Sequence, residues 1–159
     1  MIIIGIDPGS CRTGYGVIRV EGNRHIHLDS GFLEVSSYPV SERLQRIFSG
    51  IKDIVALHQP QEAAIEQVFM HENPGSALKL GQARGAAMVA LTIPLSEYSA
   101  RQVKKSVVGN GAAKKEQVQF MVGRLLNLAG KLQADAADAL AIALCHAHAR
   151  NLRKLGVAF

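Results

Sequence analysis

The chain has 159 residues, 48% of them apolar and only 19% charged. That is one domain's worth, able to bury about 70% of its unfolded surface unaided, which excludes a disordered segment and, with two cysteines, a disulfide scaffold. No run nears the roughly 18 apolar residues of a membrane span, the N-terminus carries no signal-peptide pattern, and a net charge of +5 points to a polyanionic partner, so a cytoplasmic protein is expected.

Residues Ile2 to Asp7 form an apolar, β-branched run that predicts a strand buried on both faces. Alternation places Ile3, Gly5 and Asp7 on one face and Ile2, Ile4 and Ile6 on the other, with Asp7 at the strand's end before a Pro8-Gly9 turn. Thr13 to Val20 follows a connection too short for a crossover helix and is expected to be its hairpin partner. Beyond the turn at Gly22-Asn23, His25 to Val35 supplies a third strand, interrupted at Ser30-Gly31. From Ser41, apolar residues at Leu44, Ile47, Phe48, Ile51, Ile54 and Val55 recur at helical spacing, with Ser41 available as N-cap and Pro60 beyond the end.

Ala63 to Val68 reads as a fourth strand, brought parallel to an earlier one by a right-handed crossover. Asn73-Pro74-Gly75 precedes a helix from Ser76 to Leu91, whose Gly81, Ala83, Gly85, Ala86 and Ala87 permit close approach to the sheet or to a second subunit, core packing being the simpler account. A fifth strand at Leu95 to Tyr98 leads to a helix at Ala100 to Val107, a Gly109-Asn110-Gly111 loop and a helix from Gln117 to Leu128. The last helix, Asp135 to about Asn151, is apolar on nearly every side past its first turn. This order implies an α/β fold, a five-stranded mixed sheet flanked by helices on both faces, as one domain over residues 1–150 with a short basic tail at 151–159.

Open sheets with parallel strands carry their sites at the strands' C-terminal ends, where Asp7 and Glu66 both fall. Taken singly, Asp7 is explained as a turn aspartate and Glu66 as a strand-end glutamate facing water. Asp135 and Asp138, at i and i+3, project from one helix face; capping accounts for them in isolation but not for the absence of a polar face from Ala139 to Cys145. If the four converge, like charges about 4 Å apart repel by roughly 4 kcal/mol per pair at an effective dielectric near 20. Divalent cations relieve that repulsion, and oxygen donors favour Mg²⁺ or Mn²⁺ over zinc. Two such ions suit in-line phosphodiester cleavage. His25-x-His27 and His146-x-His148 are read as structural and Cys11 and Cys145 as free thiols, while Arg101, Lys104, Lys105, Lys114 and Lys115 form a basic block with no acid among them.

The motifs Gly-Ile-Asp-Pro-Gly-Ser, Thr-Gly-Tyr-Gly-Val, Ala-Ile-Glu-Gln-Val-Phe-Met, Ser-Ala-Leu-Lys-Leu-Gly-Gln-Ala-Arg-Gly, Ala-Arg-Gln-Val-Lys and Gln-Ala-Asp-Ala-Ala-Asp-Ala-Leu-Ala-Ile-Ala closely resemble the bacterial RuvC Holliday junction resolvases, nearly end to end. The resemblance implies an RNase H-like fold and a structure-specific endonuclease that resolves four-way DNA junctions by paired symmetric nicks, in recombination and repair. It makes Asp7, Glu66, Asp135 and Asp138 the catalytic, Mg²⁺-binding set, with two ions per site and Mn²⁺ as a substitute. Some relatives carry histidine at the position of Asp135. Phe69 matches an aromatic that contacts bases near the crossover, and Lys104 and Lys115 match lysines that contact DNA; Arg101, Lys105 and Lys114 extend that surface. A homodimer with its contact on the Ser76–Leu91 helix is implied, as are RuvA and RuvB as branch-migration partners. The loop His71-Glu72-Asn73-Pro74 and the short tail depart from the family pattern. Gly-Ile-Asp-Pro-Gly-Ser also resembles the first phosphate loop of actin-like ATPases and sugar kinases, but those close two domains around a nucleotide. A non-catalytic junction-binding module is the remaining alternative, and four intact acids argue against it.

Overall fold

An isoleucine-rich hexapeptide gains most where both its faces are covered, and β1 (Ile2–Asp7) lies at the centre of the sheet with Ile3, Ile4 and Ile6 fully buried. The computed structural model describes residues 1–68 and 73–159. After β1 come β2 (Arg12–Glu21), β3 (Arg24–Glu34), α1 (Val40–His58), β4 (Glu62–Glu66), α2 (Pro74–Val89), β5 (Leu95–Tyr98), α3 (Ala100–Val108), α4 (Lys115–Leu125) and α5 (Ala134–Lys154). The sheet order is β3-β2-β1-β4-β5, antiparallel from β3 to β1 and parallel from β1 to β5, the mixed sheet expected.

Alternation divides the core in two. Ile3, Ile18, Ala64 and Tyr98 face α3, α4 and α5, whereas Ile4, Ile6, Val17, Ala63 and Ile65 face α1 and α2. On the first face the sheet is floored with glycine. Gly5 pairs with Gly16 and Asp7 with Gly14, and α5 lies directly on this patch. A Cβ at Gly5 would stand 2.2 Å from the Ala139 carbonyl oxygen, one at Gly14 2.3 Å from that of Asp135, and one at Gly16 2.7 Å from the Leu140 nitrogen. The alanines of α5 answer these glycines from above: Ala136, Ala139 and Ala143 are buried. Helix backbone therefore rests nearly on strand backbone, which brings the first turn of α5 to the ends of β1 and β2.

Several boundaries differ from expectation for local reasons. Strand β3 runs unbroken through Ser30 and Gly31, which pair with Gly16 and Tyr15; its irregularity lies at Leu28, left without a partner between the Val17–Asp29 and Ile18–His27 pairs. Gly31 instead makes room for the Tyr15 ring. Helix α1 begins at Val40 after Pro39, so Ser41 is inside the first turn and caps nothing. Helix α4 starts two residues early because the Gln117 side chain accepts from the Lys114 N–H at 2.8 Å, and it ends early, at Leu125, with Asn127 in the left-handed region.

Candidate functional site

Each carboxylate is placed by a different element. Ile6 pairs with Ile65 across the parallel β1–β4 seam, so Asp7 and Glu66 stand side by side one step further on, both directed to the α5 face. Asp135 and Asp138 descend onto them from the tip of α5. The cap of that helix is Gln133, whose carboxamide oxygen accepts from the Ala136 N–H at 2.8 Å. The aspartates are thereby released from capping. Gln133 also donates to Asp135 Oδ2 at 2.6 Å, and Lys115 at the start of α4 pairs with Asp138 Oδ2 at 2.8 Å.

The electrostatics report the crowding. Burial pushes the Asp7 carboxyl up to about 7 from 3.8, helped by Asp138, Glu66 and Asp135 and opposed by Lys115. Burial and then Asp138 raise Glu66, which Lys104 and Lys115 pull back. The Lys115 ammonium is raised in turn by its hydrogen bond to Asp138. Among the described residues, no group of three or more His, Cys, Asp or Glu side chains stands close enough to grip an ion as it is. Lys115 supplies Asp138 with a positive partner in place of an ion. The donor set nonetheless fits a hard divalent cation: four carboxylates, with an added positive charge relieving a proton-retaining Asp7.

Glu66 lies between two clefts of about 200 Å³ each, one reaching Asp7, Pro8 and Leu80, the other Lys104, Lys115 and Asp138. Of the basic block, Lys104 and Lys115 thus converge on the acids, and Lys114 is exposed next door as the α4 cap. Arg101 and Lys105 line a separate groove of about 660 Å³ between α3 and α5, into which Phe159 folds to meet Tyr98 edge to face. Phe69 lies outside the described residues. Of the four histidines read as structural, His146 is held between Tyr98 Oη and Glu62 at 2.8 and 2.7 Å, His148 bonds Ser106 and His27 bonds Ser30, whereas Nε2 of His25 is buried without a hydrogen-bond partner. Cys11 and Cys145 are free thiols.

Sequence reasoning passed over the residues that steady the Asp-Pro-Gly turn. Thr13 is fully buried; its hydroxyl donates to the Gly9 carbonyl at 3.2 Å and accepts from the Gly9 N–H at 3.4 Å. Arg43 of α1 donates to three carbonyls, those of Tyr38, Ser36 and Ser10. Neither has a side-chain partner whose identity a sequence pattern reveals. Gln133 and the glycine floor were legible in principle, as a polar residue before a helix and as glycines alternating with apolar residues in β2.

A family model described as crossover junction endodeoxyribonuclease RuvC matches residues 3–146. The chain belongs to the RuvC family. All four carboxylates lie inside the matched span. A RuvC crossover junction endodeoxyribonuclease of Acinetobacter baumannii is 61% identical over 98% of this chain and 88% of its own, and one from a Shewanella strain is 57% identical over 94% and 88%. Among solved structures, Thermus thermophilus RuvC superposes with a TM-score of 0.87 at 35% identity over 99% of this chain and 98% of that one. The same protein in complex with Holliday junction substrate gives 0.90 at 34% identity over 96% of each chain. The RNase H-like fold expected from the RuvC motifs is therefore the fold observed, and neither the kinase-like alternative nor the inert module fits a family of nucleases. No helix among the described residues is long and apolar enough to cross a membrane.

Proposed function

We propose that this chain is a structure-specific endonuclease that resolves four-way DNA junctions by metal-dependent hydrolysis of a phosphodiester, nicking two strands symmetrically, in the cytoplasm. The observation that carries this is the convergence of Asp7, Glu66 and Asp138 from three elements on one face of the sheet, where burial first and the neighbouring carboxylates second raise the Asp7 carboxyl to about 7. Such a site attracts cations and repels a phosphate until cations arrive. Asp7, Glu66, Asp135 and Asp138 would hold two Mg²⁺, with Mn²⁺ able to replace them. Such ions would supply an activated water and neutralise charge on the leaving oxygen.

The protein's own groups do the rest. Lys115, paired with Asp138, and Lys104 across the same cleft would bind the non-bridging oxygens of the phosphate. Arg101, Lys105, Lys114 and Phe69 would extend the DNA surface. Residues 1–150 would form the nuclease domain; the expected basic tail at 151–159 is in part the end of α5, whose last turn carries Arg153 and Lys154, and only the uncharged residues 155–159 follow the helix. Two sites are required for paired nicks, so a homodimer is part of the reading. Its contact is assigned to α2, where Leu78 and Val89 are 65% and 70% exposed and Gly81 and Gly85 leave open space beside the helix. RuvA and RuvB, as branch-migration partners, would deliver the junction.

The test is cleavage of a synthetic mobile four-way junction beside a linear duplex of the same sequence, with and without Mg²⁺. Symmetric nicks in the junction alone, dependent on metal, are expected. Equal cutting of the duplex would make the protein a general nuclease and overturn the reading.

A further inference from the structure

The two clefts at the carboxylates are small, but beside them runs a groove of about 800 Å³ between the outer face of α4 and the loop 127–132. Its inner support is ordinary: Val118 and Val122 bury the opposite face of α4. The outer face is not. Phe120 is 66% exposed, an aromatic ring that contributes little to either core cluster. Arg124, one turn further along the same face, and Lys131, on the opposite wall, take part in no ion pair among the described residues. Glu116 at the rim is the single acid in the lining among the described residues, so two cations face one anion.

Both walls of this groove end at the carboxylate site. Helix α4 begins at Lys115, paired with Asp138, and the loop runs into Gln133, which donates to Asp135. Glu116 and Gln119 of the groove follow directly on Lys115 and Val118 of the cleft at Asp138, so a strand whose phosphate lies at Lys115 can pass onto the outer face of α4. Open aromatic faces with cations around them are the chemistry that holds unpaired nucleotides: the ring stacks on a base of any identity, and the cations take the backbone.

We propose that the groove between α4 and the 127–132 loop holds the DNA strand leading away from the cleaved phosphate, with Phe120 stacking on a base or sugar and Arg124 and Lys131 binding its phosphates. It rests on the junction-nuclease reading and extends it to three residues outside the carboxylate site. Phe120, Arg124 and Lys131 are positioning residues, since they hold the strand and do not touch the reacting atoms.

The chain contains no tryptophan, so Phe120→Trp installs a unique emitter in the groove. Titration of that variant with a four-way junction is expected to quench its emission in step with binding. Phe120→Ala is expected to weaken junction affinity by about tenfold, the low to middle range for losing one stacked base, with Phe120→Trp binding more tightly than Phe120→Ala. Arg124→Gln with Lys131→Gln should flatten the log-log salt slope of binding by about 1.8. Unchanged indole emission from the Phe120→Trp variant at saturating junction, with unchanged affinity in Phe120→Ala, overturns the proposal. So does a change in the sedimentation of the free protein as the only effect of Phe120→Ala, which would assign the groove to a protein contact. The parent chain is assayed in parallel. If it neither binds nor cuts the junction, the nuclease reading itself has failed; if it does both and the variants match it, only the groove assignment has.

Discussion

At Asp7, burial and three neighbouring carboxylates raise the carboxyl to about 7, so the folded protein keeps a proton that the unfolded chain has released above about 3.8. Folding takes up a proton in that window, and by linkage the stability associated with this group is fully present below pH 3.8 and is lost as the pH rises through 7. Asp7→Asn removes the conflict. In metal-free buffer at pH 8 the variant is expected to be more stable than the parent by roughly 1–3 kcal/mol, about 2–4 °C in Tm for each kcal/mol, with the gain shrinking toward pH 4. Thermal melts across that range check the sign; an equal gain at both ends would assign the effect to something other than titration. The same variant is expected to lose cleavage and keep junction binding. That Asp7 belongs to a site was legible only through its companions, because Asp-Pro-Gly alone reads as a turn. Arg43 was not legible at all, since its three acceptors are main-chain carbonyls that any residue could supply.

Among the elements, α5 decides whether a site exists. It was recognisable from its all-round apolar sequence, and its two acids from their position at its start, but the distance at which it would lie was hidden. That distance is set by what strand residues lack. A helix normally packs on a sheet through interlocking side chains, whereas Gly5, Gly14 and Gly16 let α5 descend to backbone contact. Gly16→Ala would place a methyl 2.7 Å from the Leu140 nitrogen and 2.8 Å from its side chain. Overpacking of this kind costs about 1–3 kcal/mol, and the part that is relieved by lifting α5 also lifts Asp135 and Asp138 from Asp7. The expected result is a chain still folded by circular dichroism, with a lowered Tm and a disproportionate loss of cleavage relative to junction binding. Full cleavage despite lowered stability would show that the site tolerates a displaced helix. The termini of α4 were misjudged for a related reason, because the backbone bond to Gln117 sets its start and the apolar periodicity does not.

For the molecule as a whole, the net charge of +5 is less informative than where the charges face. Lys104 and Lys115 meet at the acids, while Arg101 and Lys105 look into the α3–α5 groove. Replacing the first pair by glutamine is expected to reduce the log-log salt slope of junction binding by about 1.8, and replacing the second pair by less. Filter-binding isotherms at several salt concentrations separate the two, and equal changes would mean that DNA covers both faces. Leu78→Asp with Val89→Asp is expected to shift the sedimenting species from dimer to monomer and to abolish symmetric paired nicking; an unchanged sedimentation coefficient would remove α2 from the interface.

If the carboxylates hold the ions proposed above, the glycine floor would also bear on which ion they accept. Magnesium requires oxygen donors at about 2.0–2.1 Å in nearly octahedral array, while calcium takes them at about 2.3–2.6 Å with little regard for angle. A few tenths of an ångström in the height of the α5 tip therefore separates the two. Gly14 lies directly beneath Asp135, Gly5 one turn further along at Ala139 and Ala143. A methyl at the first would raise the tip itself, and one at the second would pivot the helix about its middle. Under the metal-dependent reading proposed above, ion discrimination would then rest on two positions that carry no side chain.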